Sequence, residues 1–349
     1  LDCLVGLRGT QHLHIEGLGF TCTTTGDDYH RFGVQGVGAM VSQPGWRYCG
    51  EALHLRATRG CVVERCRFVE VGGNAVYLEG GVVRCAVRRC EVDGPGANGI
   101  VLAGDRAFPP LACEVADNDV HHVGALINLT AGVFLGLSDA CRVEHNSLHD
   151  LPHHAVNLGA NGTGRNYVEL NDIRRVCLAN HDVGAINCWM DVPYPWVAAD
   201  AERSGHVIRW NRIEDVPGYR VEKGRLVEDA TTRGIYLDDF ASNCVVQGNV
   251  VIRAGMGFQV HGGKHNIVEG NVFVDCRHLA WLCAYVAQRP GLEHMGRFNR
   301  ANRIQGNIFS SSRADAFGYW IHLWNDELLE RCDANVFHFP NAAGATKEP

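Results

Sequence analysis

Two consecutive aspartates, Asp238 and Asp239, close a strand-like run (GIYLDD, 234–239). One repeat later His261 stands before Gly262 and Gly263. A further acid, Asp182, lies in His-Asp-Val-Gly (181–184), and Asp191 stands near Trp189, Tyr194 and Trp196. Paired carboxylates suit the cleavage of a glycosidic bond. One acid protonates the leaving oxygen while a second carboxylate attacks or activates water. Crowding two carboxylates raises the pKa of one and keeps it protonated near neutral pH. Aromatic side chains offer sugar faces a stacking surface, and Trp189, Tyr194, Trp196, Tyr236, Trp281 and Tyr285 fall near the same end of the chain. The candidate catalytic set is therefore Asp182, Asp238, Asp239 and His261. The candidate substrate contacts are Asp191, Trp189, Tyr236, Asn157, Gln259 and Trp196, with a carbohydrate as the partner and no cofactor or metal assigned.

Two other readings compete with a hydrolase. A polysaccharide lyase would use His261 or Lys264 as base, with Asp238 and Asp239 binding Ca2+ against a uronate. A non-catalytic module would only bind carbohydrate.

Those residues are positioned by a repeat. A first motif places a small polar residue or Cys five positions before an Asn or Cys, as in CVVERC (61–66), CAVRRC (85–90), CEVADN (113–118), CRVEHN (141–146), NYVELN (166–171), HVIRWN (206–211), CVVQGN (244–249), NIVEGN (266–271) and NRIQGN (302–307). HLHIEG (12–17) and RCDAN (331–335) read as degenerate end copies. A second motif follows each first one: ALHL (52–55), AVYL (75–78), GIVL (99–102), GVFL (132–135), AVNL (155–158), GAIN (184–187), GIYL (234–237) and GFQV (257–260). Alternation with period two is strand, and the Gly-rich punctuation is turn. Short strands of this kind cannot close a core alone, but stacked units can. The expected fold is all-β, a right-handed parallel β-helix of about ten coils with loop insertions. It is expected to form one domain over 1–349, with an insertion loop (189–233) overhanging the groove.

Stacking turns identical residues into columns. Asn118, Asn146, Asn171, Asn211, Asn249, Asn271 and Asn307 are expected to form a ladder. Cys61, Cys85, Cys113, Cys141 and Cys244 fill a second column as small apolar residues. Pairing between neighbouring coils, or a four-thiolate zinc site at Cys61, Cys66, Cys85 and Cys90, is the alternative use of these thiols. Asp150, Asp215 and Asp275 each follow a ladder Asn by four residues, so they read as turn residues. Aligned second motifs give two outward columns. One is His54, Tyr77, Val101, Phe134, Asn157, Ile186, Tyr236 and Gln259. The other is Arg56, Glu79, Ala103, Gly136, Gly159, Cys188, Asp238 and His261. The small residues from Ala103 to Gly159 would leave room for a ligand. Asp182 and Asp238 would lie well over about 10 Å apart on straight strands, unless the chain bends before Gly184; Asp191 with Asp239 is the better-spaced alternative.

Composition excludes some classes. The chain has 349 residues, a net charge of −7 and no basic tract, which argues against nucleic acid. No apolar run reaches the roughly 18–20 residues of a membrane span. The 15 Cys are odd in number, so at least one is unpaired within the chain. Most of the 18 His are expected to be surface or satisfied residues, with His121–His122 and His153–His154 the pairs that metal chemistry could use.

HIEGLGF (14–20), HDVGAI (181–186), GIYLDD (234–239), HGG (261–263) and NIVEGNVFVDC (266–276) resemble the right-handed β-helix proteins of polysaccharide-degrading systems, and among them glycoside hydrolase family 141. The resemblance implies hydrolysis, α-L-fucosidase and xylanase being activities of that family. It also implies two catalytic Asp from neighbouring coils, here Asp182 with Asp238 or Asp239, and secretion or a periplasmic location.

Overall fold

A computed structural model describes residues 3–24, 50–105, 107–159, 165–189, 205–229, 231–283 and 298–341. The chain winds through eleven coils and builds three parallel sheets of eleven strands each. A typical coil contributes Val76–Glu79 to the first sheet, Ala86–Arg88 to the second and Glu91–Asp93 to the third. The fold is a right-handed parallel β-helix, and the degenerate end copies supply its terminal coils.

The register explains the repeat. In the second sheet Val63, Val87, Val115, Val143, Val168, Ile208, Val246, Val268 and Ile304 stack one above another, each at most 1% exposed. Burying one such side chain contributes about 1.5–3 kcal/mol, so a column repeated every coil fills the core. Between the second and third sheets the chain turns through one left-handed residue per coil, for example Asp117 (φ 55), His145 (φ 57) and Leu170 (φ 57). That conformation costs a non-glycine residue about 1–2 kcal/mol, and the Asn ladder beside it offsets the cost. Asn146 shows the pattern. Its Nδ2 donates to Val115 O at 2.9 Å and to Asn171 Oδ1 at 3.0 Å, while its Oδ1 accepts from Asn118 N and Nδ2. Asn335 of the last coil joins the same ladder. Asp150, Asp215 and Asp275 adopt left-handed φ of 54°, 59° and 51° at the next corner, as turn residues should.

The thiols stand in for ladder Asn as acceptors. Cys61 N donates to Cys85 Sγ at 3.3 Å and Cys66 N to Cys90 Sγ at 3.4 Å. The ladder thiols Cys61, Cys66, Cys85 and Cys90 form no disulfide, and the pairs occupy two separate ladders, so they form no four-Cys cluster. Burial pushes the Cys90 thiol up to about 12, keeping it protonated.

The span 189–233 is not a single insertion. It contains two coil strands, Val207–Arg209 and Arg212–Val216, and an antiparallel hairpin of Tyr219–Glu222 with Arg225–Glu228. Residues 190–204, which precede those strands, lie outside the described residues.

Candidate functional site

The site forms where the first sheet presents its outer face at the seventh to ninth coils, on the strands Gly184–Cys188, Arg233–Leu237 and Met256–His261. Asn157, Asn187, Tyr236 and Gln259 share one outward column. The GAIN reading was therefore one residue out of register. The structural repeat is Ala185-Ile186-Asn187-Cys188, with Ile186 and Cys188 buried inward. Trp189, not Cys188, then enters the second outward column between Gly159 and Asp238; its N donates to Leu158 O and Asp238 N donates to Cys188 O.

The small residues preceding the site do not leave an open slot. Gly136 and Gly159 are buried. A Cβ at Gly159 would sit 2.8 Å from Phe134 Cε2 and 3.0 Å from Trp189 Nε1. Glycine is needed there because two aromatic rings fill the space, and Val101, Ala103, Ala131 and Phe134 form an apolar cluster of their own.

At the centre His261 Nδ1 donates to Asp238 Oδ1 at 2.8 Å and lies 3.7 Å from Asp239 Oδ1. Asp239 N also donates to Asp238 Oδ1 at 2.8 Å, so Asp238 caps its own turn as well as orienting the imidazole. Asp239 (φ 34) turns its carboxylate outward, half-exposed. Ligand-type atoms of Asp238, Asp239 and His261 all lie within 4.8 Å of one another. These are the residues of the site that could hold a metal. Two carboxylates and an imidazole suit a transition metal better than Ca2+, which takes six to eight oxygens.

Burial alone would raise the Asp238 carboxyl. The hydrogen bond and charge of His261, the Tyr236 hydroxyl and the nearby Arg233 outweigh it, so Asp238 is held below the ordinary carboxylate range. For His261 burial acts downward, but the hydrogen bond and charge of Asp238, with the charge of Asp239, raise the imidazole. The pair is thus an ionised carboxylate facing an imidazole biased toward its cation.

Asp182 reaches this cluster through Arg233. The backbone at Asp182 is left-handed (φ 56), and this bend brings its Oδ1 to 2.7 Å from Arg233 Nη1. Arg233 is 3% exposed. It donates to Gln259 Oε1 and to Thr231 O, and its guanidinium lies 4.1 Å from the centre of the Tyr236 ring. Gln259, 1% exposed, completes the chain by donating from Nε2 to Cys283 Sγ at 2.9 Å. Gln259 therefore fixes Arg233 and does not face a ligand. Asn157 is likewise buried and accepts from Asn187 Nδ2 at 3.1 Å. Tyr236 is buried with its hydroxyl on Asp238. Trp189 remains partly exposed at the edge. Asp191, Tyr194, Trp196 and Tyr285 lie outside the described residues. Lys264 is buried, with its ammonium 5.2 Å from the Phe298 ring, and so is poorly placed to act as a base in the groove.

Arg233 was missed from sequence, and His154 was read only as half of a pair that metal chemistry could use. Each stands one residue before its second motif, in a column whose other members include Ala131 and Met256. A charged side chain in that column was the available signal. His154 Nδ1 lies 2.7 Å from Gly184 O. A carbonyl only accepts, so Nδ1 carries the proton. Burial holds His154 down at about 4, against the raising effect of that bond and of Asp238 and Asp182. It is neutral at pH 7.

No family model and no curated protein matches the chain. Solved structures share its fold. A glycoside hydrolase superposes with a TM-score of 0.52 at 14% identity, over 95% of this chain and 48% of that one. The catalytic unit of a GH87 α-1,3-glucanase from Streptomyces thermodiastaticus gives 0.53 at 13% identity, over 85% of this chain and 57% of that one. PfbA, a surface adhesin of Streptococcus pneumoniae, gives 0.54 at 8% identity, over 88% and 72%. The chain spans about half the length of the glycoside hydrolase. These likenesses define a parallel β-helix protein, a fold that carries both hydrolases and an adhesin.

Proposed function

We propose that the protein hydrolyses a neutral carbohydrate chain at the Asp238–Asp239–His261 cluster. The observation that supports this reading is the placement of two carboxylates and an imidazole within 4.8 Å of one another on the outer face of the helix. Asp238, held ionised by His261, acts as the base or nucleophile. Asp239, half-exposed beside it, is the carboxyl placed to carry the proton to the leaving oxygen. One carboxylate oxygen of each lies within 4.8 Å of the other, nearer the roughly 5–5.5 Å of retaining pairs than the roughly 6.5–9.5 Å of inverting ones. Asp182 serves as the counter-ion of Arg233, which departs from the pairing that the family resemblance implies. Trp189 is the aromatic positioned to meet a sugar face.

Charge argues for a neutral substrate. Three aspartates outnumber Arg233 and the imidazole of His261, with Arg233 paired to Asp182 and His261 to Asp238. A uronate chain would meet a net negative surface with no uncommitted cation in Arg233 and with Lys264 buried. The extracellular setting expected from the resemblance is consistent with such a substrate.

The test is release of reducing ends from a panel of neutral polysaccharides by wild type, Asp238→Asn and Asp239→Asn. Acid–base groups of this kind contribute about 10²–10⁴-fold, so each variant should lose at least about 100-fold with the fold intact by circular dichroism. Retention of wild-type rates in both would reject the assignment. Glycan binding with no turnover by wild type would favour a binding module.

A further inference from the structure

The third sheet carries a histidine cluster that the proposed hydrolysis does not use. Asp93, His121 and His149 share one outward column on the strands Glu91–Asp93, Asp119–His121 and Ser147–His149. His122 follows His121 with a left-handed backbone (φ 54), which turns its ring back at right angles to that of His121. Three ligand-type atoms converge as a result. His121 Nδ1 and His122 Nδ1 are 2.8 Å apart, and they lie 3.2 and 3.3 Å from the same oxygen, Asp93 Oδ1.

Hydrogen bonds cannot satisfy that triangle when Asp93 is ionised. Each imidazole nitrogen is either a donor or an acceptor, and the carboxylate only accepts. If both nitrogens carry protons, the protons face each other. If one does, the bare nitrogen faces the carboxylate oxygen. If neither does, three lone pairs converge. Every assignment leaves at least one of the three contacts repulsive, and a cation at the centre removes the conflict for all three.

We propose that Asp93, His121 and His122 form a binding site for a divalent transition metal of the zinc type. Ligand bonds of about 2.0–2.1 Å in tetrahedral geometry put neighbouring ligand atoms about 3.3 Å apart, which both His–Asp distances match, while the two imidazole nitrogens, 2.8 Å apart, would move slightly apart around the ion. Two imidazoles select such an ion over Ca2+ or Mg2+. His122 is 61% exposed, so the fourth position opens to solvent. The adjoining set of Asp119, His121 and His149 is explained without metal, because His149 bonds Asp119 at 3.0 Å and Asp150 at 2.7 Å. The ion would link two successive coils at a corner distant in sequence from Asp238, acting as a staple.

The experiment is titration of the metal-stripped protein with ZnCl2 by calorimetry, with Co2+ as a spectroscopic substitute. Wild type should bind one equivalent more than the His121→Gln/His122→Asn double variant and give the visible bands of a low-coordinate nitrogen–oxygen site. Asp93→Asn, His121→Gln and His122→Asn should each weaken binding at least about 10-fold, as loss of one of three protein ligands implies. His122→Asn keeps a side chain that tolerates the left-handed backbone, so its fold is retained, and Asp172→Asn, at an exposed ion pair outside both clusters, serves as the control that should bind normally. The proposal is overturned if wild type binds no Zn2+. It is equally overturned if binding survives undiminished in the His121→Gln/His122→Asn double variant.

Discussion

Replacement of Arg233 by Met tests the idea that this buried guanidinium organises the site. Met keeps most of the volume and removes the charge and the donors. Gln259 Oε1, inside a residue 1% exposed, loses its partner, which costs about 1–3 kcal/mol. The stacking of the guanidinium on Tyr236 at 4.1 Å contributes about 0.5–2 kcal/mol. The ion pair with Asp182 adds little, because that carboxylate is 68% exposed and exposed pairs are worth about 0–1 kcal/mol. The loss should be roughly 2–5 kcal/mol, against under about 1 kcal/mol for Asp182→Asn. Urea unfolding followed by circular dichroism measures both, with hydrogen exchange at Tyr236 and Gln259 showing whether the loss is local to these coils. Equal costs for the two variants, or a loss below about 1 kcal/mol for Arg233→Met, would refute the view that Arg233 is held by buried partners and not by Asp182.

Other expectations follow from the same contacts. The Asp238–His261 pair carries one lowered and one raised group. Its contribution should fall as pH drops below the ordinary carboxylate value near 3.8 and also as pH rises past the ordinary imidazole value of 6.5. In His261→Gln the alkaline part of that dependence should vanish from a pH series of unfolding midpoints. Glu51 is pushed up to about 7, chiefly by burial, so wild type loses stability as pH rises from about 4.5 through 7. Glu51→Gln should match wild type at pH 4 and exceed it at pH 8 by up to about 3 kcal/mol; equal stability at both pH values would contradict the burial argument. Asn211→Ala removes a central ladder amide that donates to Val168 O and Asn249 Oδ1 and accepts from Asn171. It should cost roughly 2–4 kcal/mol, clearly more than Asn335→Ala in the exposed last coil. Because the ladder thiols Cys61, Cys66, Cys85 and Cys90 form no disulfide, reducing agent should leave the unfolding midpoint unchanged.

The fold was legible because stacking writes itself into the sequence. A ladder Asn or Cys recurs at the same offset from the core Val or Ile in nine copies, so they report one geometry. The turn aspartates were legible for the same reason. The site was only partly so. Asp238, Asp239 and His261 stand out as departures from their columns, and the structure brings them together. Arg233 and His154 precede the motif by one residue, where the chain enters the sheet and the alternation that guides the alignment has not begun. Asn187 was lost to a one-residue slip, which in a strand exchanges inward and outward faces. The small residues at Gly136 and Gly159 read as space for a ligand, whereas Phe134 and Trp189 pack into it. A sequence column shows where volume is missing but not which neighbour fills it. The short link between Asp182 and the centre was hidden by a left-handed residue that breaks the straight-strand estimate.

The most direct test of the central claim is mass spectrometry of products formed in ¹⁸O-labelled water from a neutral polysaccharide. Hydrolysis at Asp238 and Asp239 predicts one ¹⁸O at each new reducing end, with the labelled product absent in Asp238→Asn and Asp239→Asn. Unlabelled products with an unsaturated, ultraviolet-absorbing end would instead mark elimination, and labelled products formed equally well by both variants would place the chemistry elsewhere on the helix.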